Sequence, residues 1–205
     1  MKKLFKFLAY TVILLLLVAA GFYGFAYYKT EQGLALRYDV QDAPLQLPQD
    51  AASLAYGARL FVSKGCADCH GAAAEGKVVF DAGPVMKVVG PNLTTGGVGK
   101  DLTVDDMARA IRHAVGKGGR PLVFMPSPDY QNLSDADTAA IIAHIKSLPA
   151  SANKPATLEI RPLRRVLYSL NKFPLLPAEE IDHAPRQRLA PAASVTVEYG
   201  KYLAQ

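Results

Sequence analysis

The distribution of hydrophobic and polar positions divides the chain into a long apolar run, three amphipathic segments and two loop-rich stretches. Phe7 to Tyr28 contains no charge, Pro, Asn or Gln and follows Lys2, Lys3 and Lys6. As a helix it would be roughly 33 Å long, about the thickness of a bilayer's hydrocarbon core. Residues 29–50 carry Pro44 and Pro48 with little periodicity and read as a linker. From Ala51 to Lys64, Leu54, Ala58, Phe61 and Val62 share one side of a helix, with Gly65 as its stop. Residues 71–100 are rich in Gly and include Pro84 and Pro91, and only Lys77 to Phe80 suggests local order. A second helix is expected over Thr103–Val115, where Thr103 and Asp106 form a capping pattern and Met107, Ala110, Ile111 and Ala114 share a face. Beyond the loop Gly118–Asn132, Ser134 and Asp137 repeat that pattern, Ile141, Ile142, Ile145 and Leu148 make an apolar face, and Pro149 closes the third helix. The remainder, 151–205, is rich in Pro and Arg, with Leu163, Val166, Leu167 and Leu170 on one side of a short helical piece.

The expected organisation is therefore a transmembrane segment over 1–28, a linker over 29–50, a domain over 51–150 and a tail over 151–205. A cleaved signal peptide also begins with lysines, but its apolar core is typically about 7 to 15 residues and ends at an A-x-A-like site. The run here is longer and no clear site follows it. Tyr23, Tyr27 and Tyr28 suit the membrane interface at its outer end, and the N-terminal lysines hold that end in the cytoplasm. The rest of the chain is then exported. The net charge of +5 comes largely from the N-terminal lysines and from arginines after residue 160. That spread argues against a nucleic-acid surface.

Both cysteines of the chain lie in Cys66-Ala67-Asp68-Cys69-His70, a C-x-x-C-H sequence of the kind that attaches haem covalently. Thiols at this spacing reach the two vinyl groups on one porphyrin edge, and the adjacent imidazole is carried under the iron. A structural zinc site would need a second ligand pair, which the sequence lacks. A thioredoxin-like pair should sit in a βαβ pattern, whereas the residues before Cys66 read as helical.

The run Pro91-Asn92-Leu93-Thr94, then Arg109-Ala110-Ile111-Arg112, Gly119-Arg120-Pro121-Leu122, Met125-Pro126, Tyr130 and Leu133-Ser134-Asp135 completes a recognisable series. With the helix leading into C-x-x-C-H, residues 51–149 resemble a class I cytochrome c domain. The series is similar to cytochrome c subunits of bacterial membrane-bound dehydrogenases. The resemblance implies a mainly α fold, three or more helices around one haem c bound through Cys66 and Cys69, preceded here by the single transmembrane helix. It implies His70 as one axial ligand and Met125, just ahead of the last helix, as the other. Met86 lies only 16 residues beyond His70 and is the weaker candidate, and Met107 belongs to a helix face. His113 and His144 are the histidine alternatives, although both fall on expected helices. By the same resemblance the carbonyl of Pro91 accepts the second N–H of His70, and Arg120 and Tyr130 are candidates for binding a haem propionate or fixing the methionine loop. His144 stands where related helices carry an aromatic packed near Gly57 and Phe61.

The implied function is single-electron transfer by a membrane-tethered, periplasmic protein that is not itself an enzyme. Its partners would be redox proteins in or at the membrane, the lipid bilayer, and other subunits of a complex. A haem enzyme or gas sensor with an open iron position, and an assembly subunit that docks through its tail, are the competing expectations. Glu198-Tyr199-Gly200-Lys201-Tyr202-Leu203-Ala204 resembles Ala55-Tyr56-Gly57-Ala58-Arg59-Leu60-Phe61. This weak repeat raises the expectation of a second haem domain beginning at the tail's end.

Overall fold

The computed structural model describes residues 1–204; Gln205, the last residue of the expected tail, lies outside them. Helix α1 (Lys2–Ala35) is followed by an extended segment to Asp50, then α2 (Ala51–Ser63) and the short α3 (Cys66–His70). A hairpin of β1 (Lys77–Asp81) and β2 (Met86–Gly90) precedes α4 (Val104–His113), the single turn α5 (Ser127–Tyr130) and α6 (Asp135–Ser147). The tail supplies β3 (Glu159–Ile160), α7 (Pro162–Ser169) and α8 (Val197–Leu203).

The helix boundaries follow local chemistry. Asp50 caps α2 by accepting from the Ser53 amide at 2.9 Å. Thr103 and Asp106 form a reciprocal capping box at α4. At α6 only half of that motif is made. Ser134 accepts from the Asp137 amide, while the Asp137 carboxylate accepts instead from the hydroxyls of Tyr56 and of Tyr202 in α8. A tertiary demand has taken the carboxylate that the local pattern would have used.

The domain core is the crossing of α2 and α6, with Leu60, Phe61, Ile141, Ile142 and Ile145 buried between them and α4. Each such side chain contributes on the order of 1.5–3 kcal/mol. The helices approach so closely at Gly57 that a Cβ there would lie 2.0 Å from the Ala140 carbonyl oxygen. His144 packs beside this point, its ring 5.6 Å from that of Phe61.

Two segments depart from the sequence-based expectation. Helix α1 does not stop at Tyr28 but runs seven residues into the expected linker, because Lys29–Ala35 contains no Pro and its inner face, including Gly33, is covered by α7. The expected loop after His70 is a hairpin whose second strand pairs with β3, giving the antiparallel order β1-β2-β3. Residues Val88 and Val89 are buried there, and β-branched residues suit that setting. The tail packs back on the domain at β3 and at α8, where Tyr202 enters the main core.

The extended segment and the tail meet α4 at a buried polar cluster. Asp42 Oδ2 lies 3.0 Å from His113 Nε2 and 2.9 Å from the Arg188 guanidinium, and Arg112 donates to Asp135 at 2.7 Å. His183 donates from Nε2 to the Ala178 carbonyl at 2.9 Å. Its Nδ1 lies 3.0 Å from His113 Nδ1. Burial pulls the His113 pKa below its ordinary value, against the opposing hydrogen bond to Asp42. Burial pushes Asp42 up, but the bonds from His113 and Arg188 together outweigh it and hold the carboxyl below its usual range.

Two outcomes follow. Gly57→Ala should lower stability by about 1–3 kcal/mol, since the helices must separate. Gly200→Ala in α8, where a Cβ meets open space, should be neutral or stabilising in the same thermal melts. With both His113 and Asp42 depressed, the unfolded chain binds more protons, so stability should fall as pH drops below about 6.5 and fall again below about 4. His113→Asn should flatten the first decline in melting temperature between pH 7.5 and 5; an unchanged slope would assign it elsewhere.

Candidate functional site

The residues of the C-x-x-C-H motif form one helical turn, α3, with Cys66 and Cys69 three positions apart and so on one face. The turn is pressed against the end of β2. A Cβ on Gly90 would lie 1.9 Å from the Cys69 carbonyl oxygen, so only glycine admits this approach. One residue later the Pro91 carbonyl sits 3.0 Å from His70 Nδ1 and accepts its proton. Nε2 is then the nitrogen with the lone pair. Burial pulls the His70 pKa below its ordinary value, with the Pro91 bond acting in the opposite direction. A neutral imidazole fixed in one tautomer is the form that ligates a metal.

Beside α3 is a cavity of about 870 Å³, within the range of about 300–1,000 Å³ found for small-molecule sites. Its wall is mainly apolar, with Val88, Val89, Leu93, Met107, Ile111 and Leu122 among its lining residues. Cys69, His70 and Met125 line it too. An imidazole, a thioether and a thiol converging on one apolar cavity are a donor set suited to a covalently held haem. Burial pushes the Cys66 thiol up to about 11 and raises that of Cys69 as well. A redox-active pair or a zinc thiolate would need the opposite shift. Among the described residues no group of three or more His, Cys, Asp or Glu is arranged to hold a metal ion.

Of the four methionines, Met86 is buried in β2 and does not line the cavity, whereas Met107 and Met125 do. Met107 belongs to the core face of α4, and Met125 is carried by the loop ahead of α5. That loop is fastened to α4 on both sides of Met125. The Leu122 amide donates to the Ala114 carbonyl at 2.7 Å, and Ser127 Oγ donates to the Ala110 carbonyl at 2.8 Å. Phe124 has φ of +69°, a left-handed conformation that bulky residues rarely adopt. The edge contact of its ring with Phe80 of β1, at 5.3 Å, helps hold it there. Backbone strain beside a candidate ligand is of order 1–3 kcal/mol.

The other candidates separate by role. The Tyr130 hydroxyl donates to the Lys64 carbonyl at 2.6 Å, tying the methionine loop to the end of α2 just before Cys66. Burial pushes its pKa up, so it stays a donor. Tyr130 does not line the cavity, and Arg120 is exposed and outside it. His113 and His144 lie outside it as well. The cations that do line it are Lys100, Lys117 and Lys154, with Asn153 beside them. Sequence reasoning missed these four because they come from three separate segments and share no motif.

Residues 54–149 match the family model for cytochrome c. A stretch of 105 residues is 34% identical to the gluconate 2-dehydrogenase cytochrome c subunit of Pantoea cypripedii, covering 45% of this chain and 23% of that protein. The chain thus spans about a quarter of the length of the curated relative it matches.

Tyr130→Phe should cost about 0.5–1.5 kcal/mol, the net worth of one hydrogen bond. The denaturation midpoint should fall with the denaturant slope unchanged; an unaltered midpoint would show that the Lys64 contact does not hold the loop.

Proposed function

We propose that this chain, residues 54–149 of which form a cytochrome c domain, is a membrane-anchored electron carrier using one haem joined to Cys66 and Cys69 and ligated by His70 and Met125. The observation that carries this reading is the convergence of His70, oriented by Pro91, and Met125 on one apolar cavity. The bound haem supplies an iron that accepts and returns one electron at a time, with no substrate transformed. The chain's own residues orient and insulate it. Pro91 fixes the His70 tautomer, and a thioether ligand from Met125 would raise the potential of an iron held with it. Ser127, Leu122 and Tyr130 hold the methionine loop still, which limits the rearrangement accompanying each change of charge. Val88, Leu93 and Ile111 keep water from the site, while Lys100, Lys117 and Lys154 are placed to offset propionate charge at its rim.

Anchoring by α1 supports a place for the domain on the periplasmic side, with Lys2, Lys3 and Lys6 retained in the cytoplasm. The curated relative is by name a dehydrogenase subunit. On that likeness we assign this chain to a multi-protein redox complex, with the tether keeping the carrier at high local concentration near membrane partners.

The test is the absorption spectrum of the oxidised, haem-loaded chain beside Met125→Ala. The weak near-infrared band of methionine sulfur on ferric haem should be present and should vanish in the variant, which should also bind carbon monoxide when reduced. A wild type that lacks the band and takes up carbon monoxide readily would overturn methionine ligation and with it the carrier reading.

A further inference from the structure

The anchor helix does not end where its apolar run ends. Residues 29–35 continue α1 by about 10 Å beyond Tyr28, and α7 lies along this extension. The contacts are specific. Lys29 Nζ donates to the Ser169 carbonyl at 3.0 Å and to Asn171 Oδ1 at 3.1 Å, and Arg165 pairs with Glu31 at 2.7 Å. The Arg165 guanidinium also covers the ring of Tyr27 at 4.3 Å. Ala26 and Thr30 are fully buried, and a Cβ on Gly33 would lie 2.6 Å from the Tyr168 hydroxyl.

As α7 runs from Arg165 to Ser169 and on to Asn171, its polar partners on α1 descend from Glu31 to Lys29. The turn after α7 is therefore level with the last turn of the uncharged run. At that level Leu170 and Phe173 are 49% and 51% exposed, beside the exposed Lys172, and the Arg164 guanidinium stacks on the Phe173 ring at 4.2 Å. Leu163, at the other end of α7, is also exposed. From Arg161 to Ala178 the sequence has no Asp or Glu; Arg161 is paired with Asp81 and Glu159, Arg165 with Glu31, and Arg164 is buried, which leaves Lys172 as the exposed cation between Leu170 and Phe173. Large exposed apolar side chains on either side of an exposed cation are the chemistry of a segment resting in the headgroup region of an anionic bilayer.

We propose that α7 and its following turn, through Leu170, Lys172 and Phe173, rest on the lipid surface beside the anchor and hold the domain on the bilayer in one orientation. The proposal rests on the anchored reading above. The clamp reaches the functional site, because Leu34 and Val123 pack on the Tyr168–Leu175–Leu176 cluster and Val123 lines the cavity. The haem pocket is thereby held at a set height above the membrane.

The two native cysteines are the only ones in the chain and are consumed by haem attachment, so an introduced cysteine is the sole site for a nitroxide label. The haem-loaded full chain is placed in phosphatidylcholine–phosphatidylglycerol vesicles with a label at Phe173→Cys, Leu170→Cys, Leu15→Cys or Val195→Cys. Collision with oxygen is compared with collision with a water-soluble nickel chelate. Expected is a shift of the oxygen-to-nickel ratio at Phe173 and Leu170 away from the value at Val195 and toward that at Leu15. Labels at Phe173 and Leu170 that match Val195, while Leu15 stays lipid-exposed, would overturn the proposal and leave the anchor standing. A label shielded from both reagents would overturn it in favour of a protein contact. A water-exposed label at Leu15 would overturn the anchor, and the proposal with it. Agreement between Leu170 and Phe173 guards against one variant's misfolding.

Discussion

The near-contact of α2 and α6 backbones at Gly57 sets the geometry on which the functional site depends. With no side chain at that crossing, the Ala140 carbonyl can approach the helix, and Phe61 and His144 close over the junction. The crossing fixes the direction in which α2 ends, and α2 ends at the C-x-x-C-H turn. It also fixes the start of α6, and the methionine loop precedes that start by a few residues. Tyr130 joins the two ends directly through the Lys64 carbonyl. The pair of elements that present His70 and Met125 are thus placed by a packing constraint some distance from either.

A second close approach, Gly90 against the Cys69 carbonyl, brings the β-hairpin onto the motif and delivers Pro91 to His70. The hairpin does more than bridge a gap. Its strand β1 buttresses Phe124 through Phe80, and its strand β2 recruits β3 from the tail. The segment with the least periodic sequence is therefore the one that connects the histidine side of the site, the methionine side and the tail.

Charge is handled in two different ways. Inside the domain, Asp42 and Asp135 lie among Arg112, Arg188 and the two histidines, so carboxylates and guanidiniums offset one another and the cluster resists separation of the chain segments that meet there. Beside α1, the exposed Lys172 stands between the exposed Leu170 and Phe173 with no carboxylate in the same stretch. The first arrangement joins the extended segment and tail to α4; the second faces outward beside α1.

The sequence alone determined the features whose chemistry is local. The spacing of Cys66, Cys69 and His70, the uncharged run from Phe7 to Tyr28, the capping pair Thr103 and Asp106, and the apolar faces of the three domain helices were all legible, because each depends on neighbours within a turn or two. Tertiary structure decided what local pattern could not express. Asp137 left its capping role for two tyrosines, Lys100, Lys117 and Lys154 converged from separate segments, and α1 outran its apolar stretch because α7 covered its continuation. Asp42, His113 and Arg188 are separated by 71 to 146 residues, and no periodicity links positions so far apart. Helix ends are set by hydrogen bonds that close within four residues, whereas the cavity's lining and the packing of α7 on α1 are set by which surfaces finally exclude water together.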